Sequence, residues 1–518
     1  MNPHKKQALL VLLISLLAAF TGFALAWLEI GEFCYALDDS FIMMALSKNL
    51  AFHHTWGLTQ HHFSSTASSP LFAVLLAMAD LLFGEHIWMP LLINLTALGG
   101  LYFFLARLCE TWGFEVWQTR WMLLGIFIFM PVPVLLFGSM EHLVHTLIAL
   151  ACLVLVLEKS ESAGVWLFLV LGAMLSGIRY EGLFEGALLV LWLWSQKQWI
   201  KGFLLGFGML IPVCWLGFYS MQQGWFFLPN SLVLKAYGMN VQEAGSFFGF
   251  LKSWLSKAAN YPHCMVAMLA LFLVRDIPAA RKNRNASWTG IVLLISLLHF
   301  MLARYGHVYR YEGYLMALSW IALWKTLVQG AVPSAGFSLA AWVKKSRVQA
   351  LLIFCLALSP VYRSIESFAN GSKAIVNIFE QQVQTARFVQ QFYDHDIVGA
   401  IDVGAIAYYS NCRLEDLWGL GTMDFAKLKL QNRYRSAEID SVCRKLGMEF
   451  AIGYGNPIRE PGWVKAESWA IRDNRVCAQD TVDFYALNPA ALARLERNLA
   501  VFRSRLPESV IVIPEPAP

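Results

Sequence analysis

Asp38 and Asp39 stand side by side in Ala36-Leu37-Asp38-Asp39-Ser40-Phe41-Ile42, a few residues past the chain's first long apolar run. Close like charges raise one pKa of a pair, which suits a general base, and adjacent carboxylates also suit a divalent cation. Asp39 alone would serve as the N-cap of a helix opening at Ser40, but a cap takes one carboxylate and not two. Glu141, in Gly138-Ser139-Met140-Glu141, opens another apolar helix. A carboxylate there gains about 0.3–1 kcal/mol from the helix dipole. It also offers a second acid, a ligand for a hydroxyl, or a third metal ligand beside Asp38 and Asp39.

Cations that could meet an anion recur at similar places. Arg179 and Arg310 each precede Tyr-Glu-Gly at the start of an apolar helix, joining a guanidinium to free backbone N–H groups, an arrangement that holds phosphate. Arg179–Glu181 and Arg310–Glu312 ion pairs are the plainer alternative. Lys235, Arg304 and His307 are further candidates for the same anion, and Glu181, Asn230 and Tyr309 lie close enough in sequence to contact a substrate. His53, His54, His61 and His62 lack metal-site spacing, so His61 and His62 are expected to touch substrate and not zinc.

The elements that must position these residues are membrane helices. The chain is 58% hydrophobic and 14% charged, with mean hydropathy +0.52, against roughly 45–50% apolar usage in soluble domains. Apolar stretches recur from Gln7 to Pro360, whereas from Val361 onward none approaches the roughly 20 residues needed to cross a bilayer. The expected fold is a polytopic α-helical membrane protein of about eleven spans (residues 1–360) with a C-terminal soluble α/β domain (361–518). The first apolar stretch, Gln7 to Leu28, reads as an uncleaved span because its core is long for a signal peptide. Basic residues fall in short clusters and the net charge is +5, which suits membrane orientation and argues against nucleic-acid binding. Nine cysteines without a CxxC argue against a zinc site; two of Cys412, Cys443 and Cys477 could pair as a disulfide in an oxidising compartment.

One segment decides the topology. Leu71 to Phe83 is apolar but short and contains Asp80, which fits an interfacial or re-entrant helix inside a long outer loop, 29–87. Leaving it out of the crossings puts Lys5, Lys6, Arg107, Arg120, Lys159, Lys197, Lys201, Arg275, Arg281, Lys282, Arg284, Lys344, Lys345 and Arg347 on the cytoplasmic side. The candidate site residues and the tail then share the opposite face. In the tail, 397–401, 449–453, 483–487 and 509–513 read as strands and 431–446 and 490–504 as helices, a pattern for a partly parallel sheet. No glycine-rich phosphate loop opens its first helix.

The order of these elements resembles the GT-C class of membrane glycosyltransferases, in particular the bacterial group that includes the terminal arabinofuranosyltransferases of the mycobacterial cell wall. Asp38-Asp39-Ser40-Phe41-Ile42 is similar to that group's Asp-Asp-Ala-Tyr/Phe-Ile, Ser139-Met140-Glu141 to Gly-Leu-Glu, and Arg179-Tyr180-Glu181-Gly182 to Arg-Pro-Glu-Gly. Leu228-Pro229-Asn230-Ser231 with Lys235 is similar to Leu-Pro-Asn-Thr and its later lysine. In the tail, Asp402 to Ser410 and Asp416-Leu417-Trp418-Gly419-Leu420 resemble Asp-Ile-Gly-Ala-Ile-Gly-Tyr-Tyr-Ser and Asp-Leu-Val-Gly-Leu. The resemblance implies a polyprenyl-phosphate-linked monosaccharide as donor and an envelope glycan or lipid-linked acceptor. It also implies a site on the outer face of the bacterial cytoplasmic membrane, with Asp38 or Asp39 as base. A transporter or flippase of a lipid-linked glycan is the alternative, and a non-catalytic envelope assembly factor a third. Charges at one rim and the absence of internal symmetry favour the enzyme.

Overall fold

The computed structural model describes residues 1–238, 247–275, 285–303, 305–306, 310–330, 347–455 and 463–514. Three helices among them are long and apolar enough to cross a membrane, Pro3–Ile30, Met89–Thr111 and Trp199–Gln222, and Val116–Phe129 with Val132–Gly138 form a pair bent by 49°. Pro131 lies at that bend, where a missing N–H interrupts the helical ladder. The other apolar helices, among them His142–Glu158, Val165–Ile178 and Gly182–Ser195, are shorter. Among the described residues the expected eleven crossings therefore do not appear as eleven helices of spanning length.

Hydrogen bonds gather the loop ends into two opposed faces. On one, Asn2 Nδ2 donates to Glu110 at 2.6 Å, Arg120 Nε to Gln7 at 2.8 Å and Trp112 Nε1 to Glu158 at 2.9 Å. Lys325 pairs with Glu158, and Lys201 donates to the Ser160 carbonyl. On the other, Ala36 N donates to the Phe137 carbonyl at 3.0 Å and Asn230 N to that of Ser65 at 2.8 Å. The basic clusters of 5–6, 107–120, 159 and 197–201 thus share an end, as an alternation that omits 71–83 requires.

That segment is the helix Pro70–Phe83, stopped by Gly84 at φ 86°. It packs on the helix Asp38–His53. Asp80 is buried and accepts from Ser47 Oγ at 2.8 Å, so its charge has a local partner, while Met78, Leu81, Leu82 and Phe83 are exposed. An outward apolar face with an inward polar anchor is what a helix lying along an apolar boundary needs.

The tail does not begin at a break. The helix Arg347–Ile378 runs through Pro360, then through a π-helical turn, Phe379–Val383, into Gln384–Phe392. A fall in hydropathy at 361 marks a change of surroundings and not the end of the backbone ladder, so the expected boundary lies inside a helix. Six strands follow: β1 Ile397–Ala400, β2 Arg413–Asp416, β3 Phe450–Gly453, β4 Val464–Ala470, β5 Thr481–Ala486 and β6 Ile511–Pro514, in the order β2-β1-β3-β5-β4-β6. β1 is parallel to both β2 and β3, and the remaining pairs are antiparallel. The sheet is partly parallel, as the alternation of elements predicts; β2 and β4, with their charged residues, are not anticipated.

Candidate active site

The helix Asp38–His53 takes Leu37, with extended backbone (φ −144°, ψ 134°), as its N-cap residue, so Asp38 and Asp39 both lie in its first turn. Asp39 is therefore not the N-cap that a helix opening at Ser40 would use. The turn is pinned to the bent pair: Ser40 Oγ donates to the Gly138 carbonyl. With the chain held there, the two carboxylates diverge.

Asp38 caps a different helix. Its Oδ2 accepts from Gly404 N at 2.7 Å and its Oδ1 from Ala405 N at 2.8 Å, at the start of the tail helix Gly404–Tyr409. A Cβ on Gly404 would collide with the Asp38 carbonyl oxygen, so the close approach requires glycine. Burial and the neighbouring Asp402 carboxylate push the Asp38 pKa up to about 8, against the pull of the two N–H groups.

Asp39 turns the other way and pairs with Arg310. It borders two cavities. One, of about 320 Å³, is lined by Asp39, Thr66–Ser69, Met140, Ser231, Tyr305, Arg310 and Tyr311. The other, of about 410 Å³, lies between Leu37–Ile42 and the tail, with Gln382, Asp402, Trp418 and Tyr454 on its walls. Ile42 and Leu420 also border both, so the Asp39 carboxylate sits at the junction. In the smaller cavity the buried hydroxyls of Thr66 and Ser231 have no partner among the described residues, and neither has Arg310 Nε. Unpaired buried donors around a cation are the lining a phosphorylated ligand would satisfy.

Behind Arg310 lies a second layer. Arg179 donates to Glu181 at 2.6 Å and pairs with Glu141, which is fully buried. Tyr311 bridges the layers: the Arg179 guanidinium lies 5.4 Å and that of Arg310 5.0 Å from its ring centroid. Arg179, Glu141 and Glu181 line neither cavity. Arg179 is thus neutralised by two carboxylates instead of being free for an anion, and Glu141 is sequestered as its partner instead of facing a hydroxyl or metal. The Arg-Tyr-Glu-Gly repeats also differ. The first is an internal ion pair, whereas Arg310 reaches Asp39 and Glu312 accepts from His263 at 3.1 Å and Arg363 at 3.4 Å.

Asp38, Asp39 and Glu141 do not converge on a point where a divalent cation would sit, and no group of three or more His, Cys, Asp or Glu among the described residues does. Asn230 donates through Nδ2 to the Gly419 carbonyl at 2.9 Å, fastening a tail loop to the membrane domain. His61 Nε2 lies 3.1 Å from the Asn411 carbonyl, and neither His61 nor His62 lines either cavity. Asn230 and His61 thus contact the tail and not a cavity, and His62 lies within electrostatic reach of Arg413 and Glu415 of β2. Arg304, His307 and Tyr309 lie outside the described residues, as does the side chain of Lys235, whose backbone belongs to the helix Asn230–Gly238. Cys412, Cys443 and Cys477 are free thiols.

Sequence reasoning did not single out the tail's own contribution. Asp402 accepts from Tyr454 Oη and from Gln382 Nε2 at 2.9 Å, and burial pushes its pKa up. Asp416 accepts from the N–H groups of Trp418 at 2.7 Å and Gly421 at 2.6 Å, shaping the loop that carries Trp418 and Leu420 into the cavity. Both lie in the tail elements quoted above, but the signal that they face the membrane carboxylates is a long-range contact.

Three comparisons with known proteins bear on this geometry. Residues 376–498 match the family model described as "Domain of unknown function (DUF8728)". A search of curated protein sequences finds no match. Among solved structures, the chain is similar to ArnT from Cupriavidus metallidurans bound to undecaprenyl phosphate, with a TM-score of 0.50 at 12% identity over 93% of this chain and 98% of that one. The arabinofuranosyltransferase AftD from mycobacteria is similar at a TM-score of 0.44 and 11% identity, over 92% of this chain and 40% of that one. The chain is a multi-pass membrane protein with the fold of the GT-C class of membrane glycosyltransferases.

Proposed function

We propose that the protein transfers a monosaccharide from a polyprenyl-phosphate donor to an envelope acceptor at the outer face of a bacterial cytoplasmic membrane. The observation that carries this reading is the Asp39–Arg310 pair at the junction of two cavities. Arg310, with the hydroxyls of Thr66 and Ser231, receives the donor phosphate, and the acceptor hydroxyl arrives from the tail side. Asp39 takes the hydroxyl proton, the oxygen attacks the anomeric carbon, and the bond from that carbon to the phosphate oxygen breaks. Polyprenyl phosphate leaves with the electron pair, its growing charge held by Arg310. A single displacement inverts the anomeric centre. Arg179, Glu141 and Glu181 hold Tyr311 and Arg310 in place. That ArnT is bound to undecaprenyl phosphate supports this choice of donor, and the basic clusters on the opposite face support an extracytoplasmic site and tail.

Purified full-length protein given a polyprenyl-phosphate monosaccharide and acceptor is expected to release free polyprenyl phosphate. Asp39→Asn should slow release by about 10²–10⁴. Movement of intact donor between leaflets without bond cleavage, unaffected by Asp39→Asn, would instead identify a flippase.

A further inference from the structure

We propose that the 410 Å³ cavity is a subsite for a neutral sugar, and that Trp418 and Asp402 of the tail select the terminal residue of the acceptor. The inference rests on the transferase reading above and adds the chemistry of its second substrate. Three observations carry it.

The first is topology. β1, β2 and β3 are the parallel strands, and each runs out into this cavity: Asp402 follows β1, Trp418 follows β2 and Tyr454 follows β3. In open sheets the loops beyond the carboxyl ends of parallel strands are where ligands bind. The membrane domain closes the opposite wall with Asp38 and Asp39, so a ligand on the sheet edge presents a hydroxyl to the base.

The second is charge. Asp38, Asp39 and Asp402 border the cavity, and none of the described residues lining it is Lys, Arg or His. A phosphate or carboxylate on the acceptor would find no cation in that lining to receive it. Hydroxyls can instead donate to Asp402 and exchange hydrogen bonds with the Gln382 amide, as Tyr454 already does at 3.2 Å.

The third is Trp418. A tryptophan in a packed loop is normally covered, yet this one is 45% exposed and borders the cavity. It is not loose: Lys429 Nζ lies 2.9 Å from its ring centroid, and Tyr434 packs edge-on at 6.5 Å while donating to the Leu417 carbonyl at 2.7 Å. A large aromatic held on one side and left open beside hydrogen-bonding groups matches a sugar, whose C–H face is apolar and whose rim is polar.

The test uses full-length protein in detergent micelles and saturation-transfer difference NMR. The probes are methyl glycosides of neutral hexoses and pentoses, the matching methyl uronates, and undecaprenyl phosphate in parallel samples. At least one neutral glycoside should receive saturation at its ring protons, with a Kd of about 1–10 mM. The uronates should not compete. Trp418→Ala should weaken that binding about tenfold and Trp418→Phe much less, while Asp402→Asn weakens it without changing undecaprenyl phosphate binding. Retained lipid binding with no glycoside bound, a preference for uronates, or glycoside binding indifferent to Trp418→Ala would each overturn the subsite. Loss of undecaprenyl phosphate binding in the wild type would count against the donor reading instead.

Discussion

The two cavities that meet at Asp39 are built from opposite materials. The one within the membrane domain has Arg310 and hydroxyls with no partner among the described residues, with Tyr311 and Arg179 behind; the one beneath the tail has three aspartates and an exposed tryptophan. A single carboxylate, Asp39, belongs to both, and its paired cation comes from the first. On the proposed reading the contrast divides the site into a compartment that offers a cation and one whose described lining offers none, so a charged leaving group and a neutral nucleophile would be held within reach of one base without exchanging places.

Substitutions at the boundary should have the largest effects and should separate the compartments. Arg310→Gln should lower transfer by about 10²–10³ and weaken polyprenyl phosphate binding as well, because the same cation serves ground state and leaving group. Asp39→Asn should leave phosphate binding near wild type while abolishing most turnover. Equal loss of lipid binding in both variants would erase the distinction between base and anion site.

The tail's anchoring gives the next effect. Asp38→Ala removes both acceptors for Gly404 and Ala405, and should destabilise docking by about 1–3 kcal/mol, read as faster hydrogen exchange of those amides. The sign of its pH dependence follows from linkage. The Asp38 pKa is about 8 in the folded protein and near 3.9 in an unfolded chain. Between these values the folded state holds the extra proton, so Asp38's contribution is greatest below pH ~4 and declines as pH rises to about 8. Asp402→Asn, by removing the neighbouring charge, should narrow that window from above. A wild-type advantage over Asp38→Ala that grows between pH 5 and 8 would contradict the assignment.

The smallest effect lies behind Arg310. Ser139 has φ 42°, a left-handed conformation that costs L residues, and its Oγ donates to the Leu136 carbonyl at 2.5 Å. Ser139→Gly should relieve the backbone while losing that bond, for a net change within about 1 kcal/mol, whereas Ser139→Val should destabilise by more. Thermal unfolding of both variants measures the difference.

How much of this was legible in the sequence depends on the range of the interaction. The paired aspartates, the apolar helices and the partly parallel sheet follow from local residue types, as does a short apolar helix at Leu71 to Phe83 anchored by Asp80. What each charge faces is not local. Asp38 and Asp39 are neighbours in sequence, yet one caps a helix more than 360 residues away and the other meets Arg310. Two identical tetrapeptides give one internal ion pair and one that reaches across the molecule. Strands β2 and β4 were invisible because their charged residues, such as Glu415 and Glu467, are buried with partners that only the fold supplies.

The division between the cavities is most directly tested by photo-crosslinking with a polyprenyl phosphate carrying a diazirine next to the phosphate, followed by peptide mapping. Adducts are predicted on Thr66–Ser69, Ser231 and Tyr305. Adducts concentrated on Asp402, Trp418 and Tyr454 would mean that the lipid phosphate enters the acidic compartment, and would contradict the account.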